Sequence, residues 1–167
     1  RGETIHWLEC LCFSKSWKNK KLTPFYFMAA IYFHVPFCKQ ACHYCNFHFS
    51  TSLKHKNPIL DAMLSELKLR KAELSDNEEI RSIYFGGGTP SLLSSDEVSV
   101  LIKEVKLNFN VAVDAEITLE MNPDDDRPNY LEELKVVGVN RLSVGIQSFH
   151  EEELKLINRA HNAQEAF

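Results

Sequence analysis

From residue 28 onward the chain alternates short β-type runs with helical patterns, and this rhythm restricts the fold more than any other feature. Residues 31–35 are an apolar β run closed by Pro36. Residues 82–85 are a second run, ended by Gly86, Gly87 and Gly88, while 116–121 and 141–146 are a third and a fourth. Between and after them apolar residues recur at helical spacing: Leu60, Met63, Leu64 and Leu67; Val98, Leu101, Ile102 and Val105; Leu131 and Leu134; Leu154 and Ile157. Start and stop signals fall where such helices need them. Asn57 reads as an N-cap with Pro58 in the first turn. Ser94 with Glu97, and Ser148 with Glu151, read as capping boxes. Pro128 opens the third helix and Gly138 ends it. Strands alternating with helices imply an α/β fold with a parallel sheet and right-handed crossovers. An open doubly wound sheet and a barrel both satisfy the pattern.

In either architecture, functional residues gather at the C-terminal ends of the strands. Here those ends carry residues 38–45, 86–90, 120–123 and Gln147. The first is the most informative. Cys38-x-x-x-Cys42-x-x-Cys45 places three thiols within eight residues, enough to wrap one small metal centre. Thiolates suit iron–sulfur clusters and zinc. Three ligands on a four-iron cluster leave one iron open to bind a cofactor or substrate. A zinc site that adds His43 or His48 is also chemically reasonable, and Cys42-His43-Tyr44-Cys45 alone could serve as a thiol redox pair.

The other strand ends are weaker signals taken singly. Gly86-Gly87-Gly88-Thr89-Pro90 lets backbone approach a ligand closely, or is a tight turn. It lacks the lysine of a phosphate-binding loop and the G-x-G-x-x-G pattern, which argues against a nucleotide-phosphate cradle. Glu120, Gln147 and Arg159 each match an ordinary polar surface residue as well as a ligand. Residues 124–126, three aspartates, read as a solvated turn before Pro128, and residues 151–153 as a favourable acidic first helical turn. His34, His43, His48 and His55 lie near the cysteines in sequence and read mostly as structural or solvent-facing.

Composition narrows the remaining classes. The net charge of −4 gives no general attraction to nucleic acid or anionic membranes. Five cysteines, an odd count with three clustered, argue against a secreted disulfide scaffold and for a reducing, cytoplasmic setting. Residues 1–27, with Cys10 and Cys12, have no clean period and are expected to be a non-native or upstream extension, with Met28 the native start. Lys18, Lys20 and Lys21 before the apolar run 22–37 and Cys38 imitate a lipoprotein leader. Pro24, His34 and Pro36 interrupt that run, no small-residue cleavage site adjoins Cys38, and the stretch is too short to span a bilayer. No transmembrane segment is expected.

Taken together, residues 31–38, the cysteine loop, Tyr84-Phe85-Gly86-Gly87-Gly88-Thr89-Pro90-Ser91, Glu120-Met121-Asn122-Pro123 and Gly145-Ile146-Gln147-Ser148-Phe149 resemble one family, in one order. It is the oxygen-independent coproporphyrinogen oxidase family of radical S-adenosylmethionine (SAM) proteins, which includes the HemW branch of haem chaperones. The resemblance covers residues 28–167, as the N-terminal part of a radical SAM core. It implies a partial parallel (β/α) barrel, here about four βα units of six. It also implies a 4Fe–4S cluster on Cys38, Cys42 and Cys45, with SAM chelating the open iron. One electron from the cluster would then yield methionine and a 5′-deoxyadenosyl radical. By the same resemblance Tyr32 and Tyr44 flank SAM, Gly87, Gly88 and Thr89 line its methionine end, and Glu120 contacts its ribose. Gln147 and Arg159 match positions around a second SAM in the oxidases. The oxidases carry a further cysteine two places after the third ligand. Here that place is Phe47, as in the HemW branch, which shifts the expectation from oxidase to haem chaperone, with haem and haem-acceptor proteins as partners. His161-Asn162 is no adequate haem-contact motif. A last strand without its neighbour would leave an exposed edge, so this stretch alone is expected to be unstable or prone to aggregate.

Overall fold

A computed structural model describes residues 28–75 and 77–167. The expectations for residues 1–27 lie outside the described residues. Four strands alternate with four helices: β1 (Met28–Val35), α1 (Lys56–Leu69), β2 (Glu79–Gly87), α2 (Ser95–Asn108), β3 (Val111–Met121), α3 (Tyr130–Val137), β4 (Arg141–Val144) and α4 (Glu151–Leu156). The sheet order is β1-β2-β3-β4, and every pairing is parallel. A doubly wound sheet reverses its strand order partway. This sheet does not, so among the described residues the barrel-type alternative holds.

The period of two along each strand separates two faces. Ile31, Phe33 and Val35 of β1, Ile83 and Phe85 of β2, and Ile117, Leu119 and Met121 of β3 are buried in one core with Met63 and Leu67 of α1 and Leu101, Ile102 and Val105 of α2. Phe33 stacks on Phe85 with centroids 4.8 Å apart. The alternate residues are Tyr32, His34, Tyr84, Thr118, Glu120 and Ser143, brought side by side by the strand register. The helices thus cover an apolar outer face, and the inner face is polar, where a barrel of this class does its chemistry.

Local signals explain some boundaries and miss others. The Ser94–Glu97 capping box is formed in both directions, and Gly138 ends α3 at φ 109°. Asn57 is not an N-cap: the chain enters α1 through a 3₁₀ turn, Leu53–His55, which Ser52 caps, and His55 occupies the position before the helix. Ser148 and Glu151 form no capping box. His150 precedes α4, and the Ser148 hydroxyl accepts from the His150 amide while donating to Glu153. The third helix starts at Tyr130, two residues past Pro128, because Asn129 stands in a left-handed conformation. β2 and β3 run longer than their apolar centres, and β4 is shorter than expected, ending at Val144.

Candidate metal and cofactor site

The cysteine loop is closed at its base before any metal is considered. Ser50 donates its amide to Pro36 O (2.8 Å), and Cys38 donates to Ser50 O (3.0 Å), so residues 38–50 leave and return at the end of β1. The end of β2 packs against that base, with Gly88 N on Val35 O (2.9 Å) and Thr89 N on Phe37 O (2.6 Å). A Cβ at Gly88 would sit 2.5 Å from Phe37 O and 3.0 Å from Cys38 Sγ. Only glycine permits this approach. Cys45 N donates to Cys42 O (3.1 Å), a tight turn that brings the last two thiols to the same end of the loop.

All three cysteines are free thiols and half-buried. Burial pushes the Cys38 thiol above its ordinary range; a Thr89 hydrogen bond opposes this, while Cys45 and Cys42 push it further.

They line one cavity of about 400 Å³ with Tyr44, Gly87, Gly88, Thr89, Glu120, Gln147 and Arg159. Seven of the eight cofactor contacts expected from sequence thus share this wall with the cysteines. Tyr32 does not line it: its ring packs against Tyr84 (6.0 Å between centroids), and its hydroxyl lies 3.2 Å from His34 Nδ1. Tyr84 in turn donates to Glu120 Oε1 (2.7 Å), whose Oε2 accepts from Gly87 N (3.2 Å). Both carboxylate oxygens of Glu120 are therefore oriented from within the fold. Burial, and then the Glu120 carboxylate, raise the Tyr84 phenol above its usual range, so Tyr84 remains a donor.

Arg159 lines the same cavity. It donates through Nη2 to Asn122 Oδ1 and Gly145 O, both at 2.6 Å, and Nη1 lies 3.5 Å from Cys42 Sγ. Its Nε is buried without a partner. Gln147, held at φ 66°, places its amide 3.2 Å from where a Gly145 Cβ would be. The wall so formed offers a cation, a carboxylate and close-approach glycine backbone beside three sulfurs. That donor set matches an amino-acid-bearing nucleoside next to an iron–sulfur centre.

The zinc alternative would need a histidine beside the three cysteines. Among the described residues no three His, Cys, Asp or Glu side chains gather closely enough to hold a single ion. His43 turns its Nδ1 to Leu156 O (3.0 Å).

Sequence reasoning missed the residues behind this wall. Asp125 is buried, not solvated: Ser91 donates to its Oδ2 at 2.5 Å, the Asn122 amide donates to the same oxygen at 3.0 Å, and the Lys39 ammonium lies 2.5 Å from Oδ1. Asn158 stands at φ 56° and bonds the cysteine loop. Neither pairing is local. Gln40 and Asn158 are 118 residues apart, and no spacing rule reaches that far.

A parallel, sequentially ordered half-barrel with a three-cysteine loop at the mouth of its first strand defines a class. The sequence profile of the Radical SAM superfamily matches residues 32–167, and the chain belongs to that superfamily. The haem chaperone HemW of Escherichia coli is 39% identical over 140 residues, covering 82% of this chain and 36% of that protein. The zebrafish (Danio rerio) radical S-adenosyl methionine domain-containing protein 1, mitochondrial, is 35% identical over 138 residues, covering 83% and 31%. The oxygen-independent coproporphyrinogen III oxidase of E. coli is 34% identical over 140 residues, covering 83% and 30%. The solved structure of coproporphyrinogen III oxidase (HemN) from E. coli, described as a radical SAM enzyme, superposes with a TM-score of 0.72 at 31% identity, covering 83% of this chain and 32% of that one. The chain spans about a third of the length of these relatives. Among the described residues no helix is long and apolar enough to cross a membrane.

Proposed function

We propose that residues 28–167 are the N-terminal part of a radical SAM core, whose Cys38, Cys42 and Cys45 hold a 4Fe–4S cluster with SAM beside it. The carrying observation is the shared cavity of about 400 Å³, where three thiols meet Glu120, Arg159 and the glycine loop. When bound, cluster and SAM supply one-electron cleavage of a carbon–sulfur bond. The chain's own contribution is placement. Gly87 and Gly88 bring backbone to the methionine end, and Thr89 closes it. Glu120, fixed by Tyr84 and Gly87, presents carboxylate oxygens to ribose hydroxyls. By the family resemblance Arg159 and Gln147 would stand around a second SAM, and Tyr44 would flank the first, all three lining the same cavity.

Within the superfamily we read the protein as a haem chaperone of HemW type, with haem and haem-acceptor proteins as partners. Phe47 supports this reading. It lines the cavity, is 72% exposed, and occupies the place where the oxidases carry a further cysteine. A second reading, an oxygen-independent coproporphyrinogen III oxidase, is favoured by the superposition on the oxidase structure.

Anaerobic reconstitution with iron and sulfide, followed by metal analysis and electron paramagnetic resonance (EPR), tests the cluster. Close to four irons per chain and a spectrum that changes on adding SAM are expected. A zinc-only product, or a spectrum blind to SAM, overturns the reading. Stable haem binding without porphyrinogen turnover by the full-length protein supports the chaperone, and turnover supports the oxidase.

A further inference from the structure

Nothing between the first and third cysteines looks like a structured element, yet almost every residue there is tied to a distant part of the chain. Lys39 follows Cys38 directly. Its ammonium meets Asp124 Oδ2 (2.8 Å) and Asp125 Oδ1 (2.5 Å) in the segment after β3. Asp125 is 1% exposed, and its other oxygen is already bonded to Ser91 and to the Asn122 amide. The next residue turns to the other side. Gln40 Nε2 donates to Asn158 Oδ1 (2.7 Å) and Asn158 O (3.2 Å), and Asn158 Nδ2 returns a bond to Ala41 O (2.6 Å). His43 N donates to Ile157 O (3.0 Å). The two anchors converge on one side chain. The segment that receives Lys39 contains Asn122, and Asn122 Oδ1 holds Arg159, the neighbour of Asn158.

From this geometry we infer that Lys39 and Asn158 are positioning residues, a two-sided clamp that sets the cysteine loop against the Arg159 wall and so fixes the width of the cavity. Three considerations carry the inference. The loop has no regular backbone ladder of its own, so its shape must come from such ties. A buried carboxylate such as Asp125 needs a partner charge, which locks Lys39 in one place. Asn158 is left-handed, a conformation that asparagine adopts readily, and this turns its amide toward Ala41 instead of along α4. The clamp acts on the loop whether or not metal is present. Its consequence for SAM rests on the function proposed above.

The test uses the whole chain with Lys39→Met, Lys39→Arg, Asn158→Gly and the Met/Gly double variant. Lys39→Met keeps the stem and removes the charge, and Asn158→Gly keeps the left-handed backbone and removes both side-chain bonds. In the metal-free protein, hydrogen exchange of the His43 amide and alkylation of Cys42 by iodoacetamide report loop opening. Each single variant is expected to speed both by about five- to tenfold, the double variant more, and Lys39→Arg is expected to restore near-parent rates. In the reconstituted protein the same variants keep their iron. The SAM concentration that half-changes the EPR spectrum is expected to rise by a similar factor. Parent-like exchange and alkylation rates in both single variants overturn the clamp. So does loss of the thermal unfolding transition that Lys39→Arg shares. A parent chain that takes up no cluster would sink the proposed function, while the metal-free rates would still decide the clamp.

Discussion

Gly88 carries the tightest constraint at the scale of single residues. A methyl there would press into Phe37 O at 2.5 Å, and that carbonyl is already fixed by the Thr89 amide, so the backbone cannot easily give way. Gly88→Ala is expected to destabilise the fold by about 1–3 kcal/mol, as overpacking does, and to displace Cys38, whose Sγ lies 3.0 Å from the same point. Urea unfolding reads the first effect and iron content after reconstitution the second. An alanine variant with parent stability and full iron would show that the loop base is soft. The sequence marks Gly88 only as part of a triple glycine after a strand, which a tight turn would explain as well as a close approach. It could not mark Asp125, which reads as one of three solvated aspartates. Its burial depends on Lys39 and Ser91, which lie 86 and 34 residues away.

At the scale of elements, two ends of the core helices lend themselves to measurement. The Ser94 hydroxyl accepts from the Glu97 amide (3.2 Å), and the Glu97 carboxylate accepts from the Ser94 amide (2.7 Å). Ser94→Ala is expected to cost about 1 kcal/mol, visible as a lower midpoint in thermal unfolding. This box was legible because both partners sit three residues apart. The N-cap expected at Asn57 and the box expected at Ser148 had equally good letters. There the preceding chain, a capped 3₁₀ turn in one case and the Gln147 left-handed bend in the other, had already fixed the entry angle.

Tyr130, at the start of α3, gives a pH signature. Its hydroxyl donates to Leu93 O (2.8 Å), and the Arg127 guanidinium lies 3.9 Å above its ring. Burial raises the phenol to about 12, against the opposing pull of Arg127. The folded state therefore holds this proton more tightly than the unfolded chain. The associated stability is complete below pH 10 and is lost as pH rises through 12, by up to about 2 kcal/mol. Tyr130→Phe should flatten the slope of stability against pH in that window. An unchanged slope would assign it to other groups.

Over the whole molecule, the sheet is well covered at one end and bare at the other. Ile31, Phe33 and Val35 at β1 are buried under α1 and α2, whereas Leu142 and Val144 on the same face of β4 are 38% and 46% exposed. The alternation of strand and helix made the parallel sheet readable from sequence. It left the choice between a reversed and a sequential strand order open, because that choice depends on which face each crossover covers. The sequential order leaves β4 with β3 as its sole partner among the described strands. Its free backbone groups and two exposed apolar side chains form an edge that invites pairing. The 167-residue chain is therefore expected to self-associate at about 100 μM. Replacing both Leu142 and Val144 by lysine should shift it toward monomer in sedimentation velocity without moving the far-ultraviolet circular dichroism. A parent chain that stays monomeric and unfolds cooperatively at that concentration would mean that the β4 edge is protected, and that the half-barrel is a self-sufficient unit.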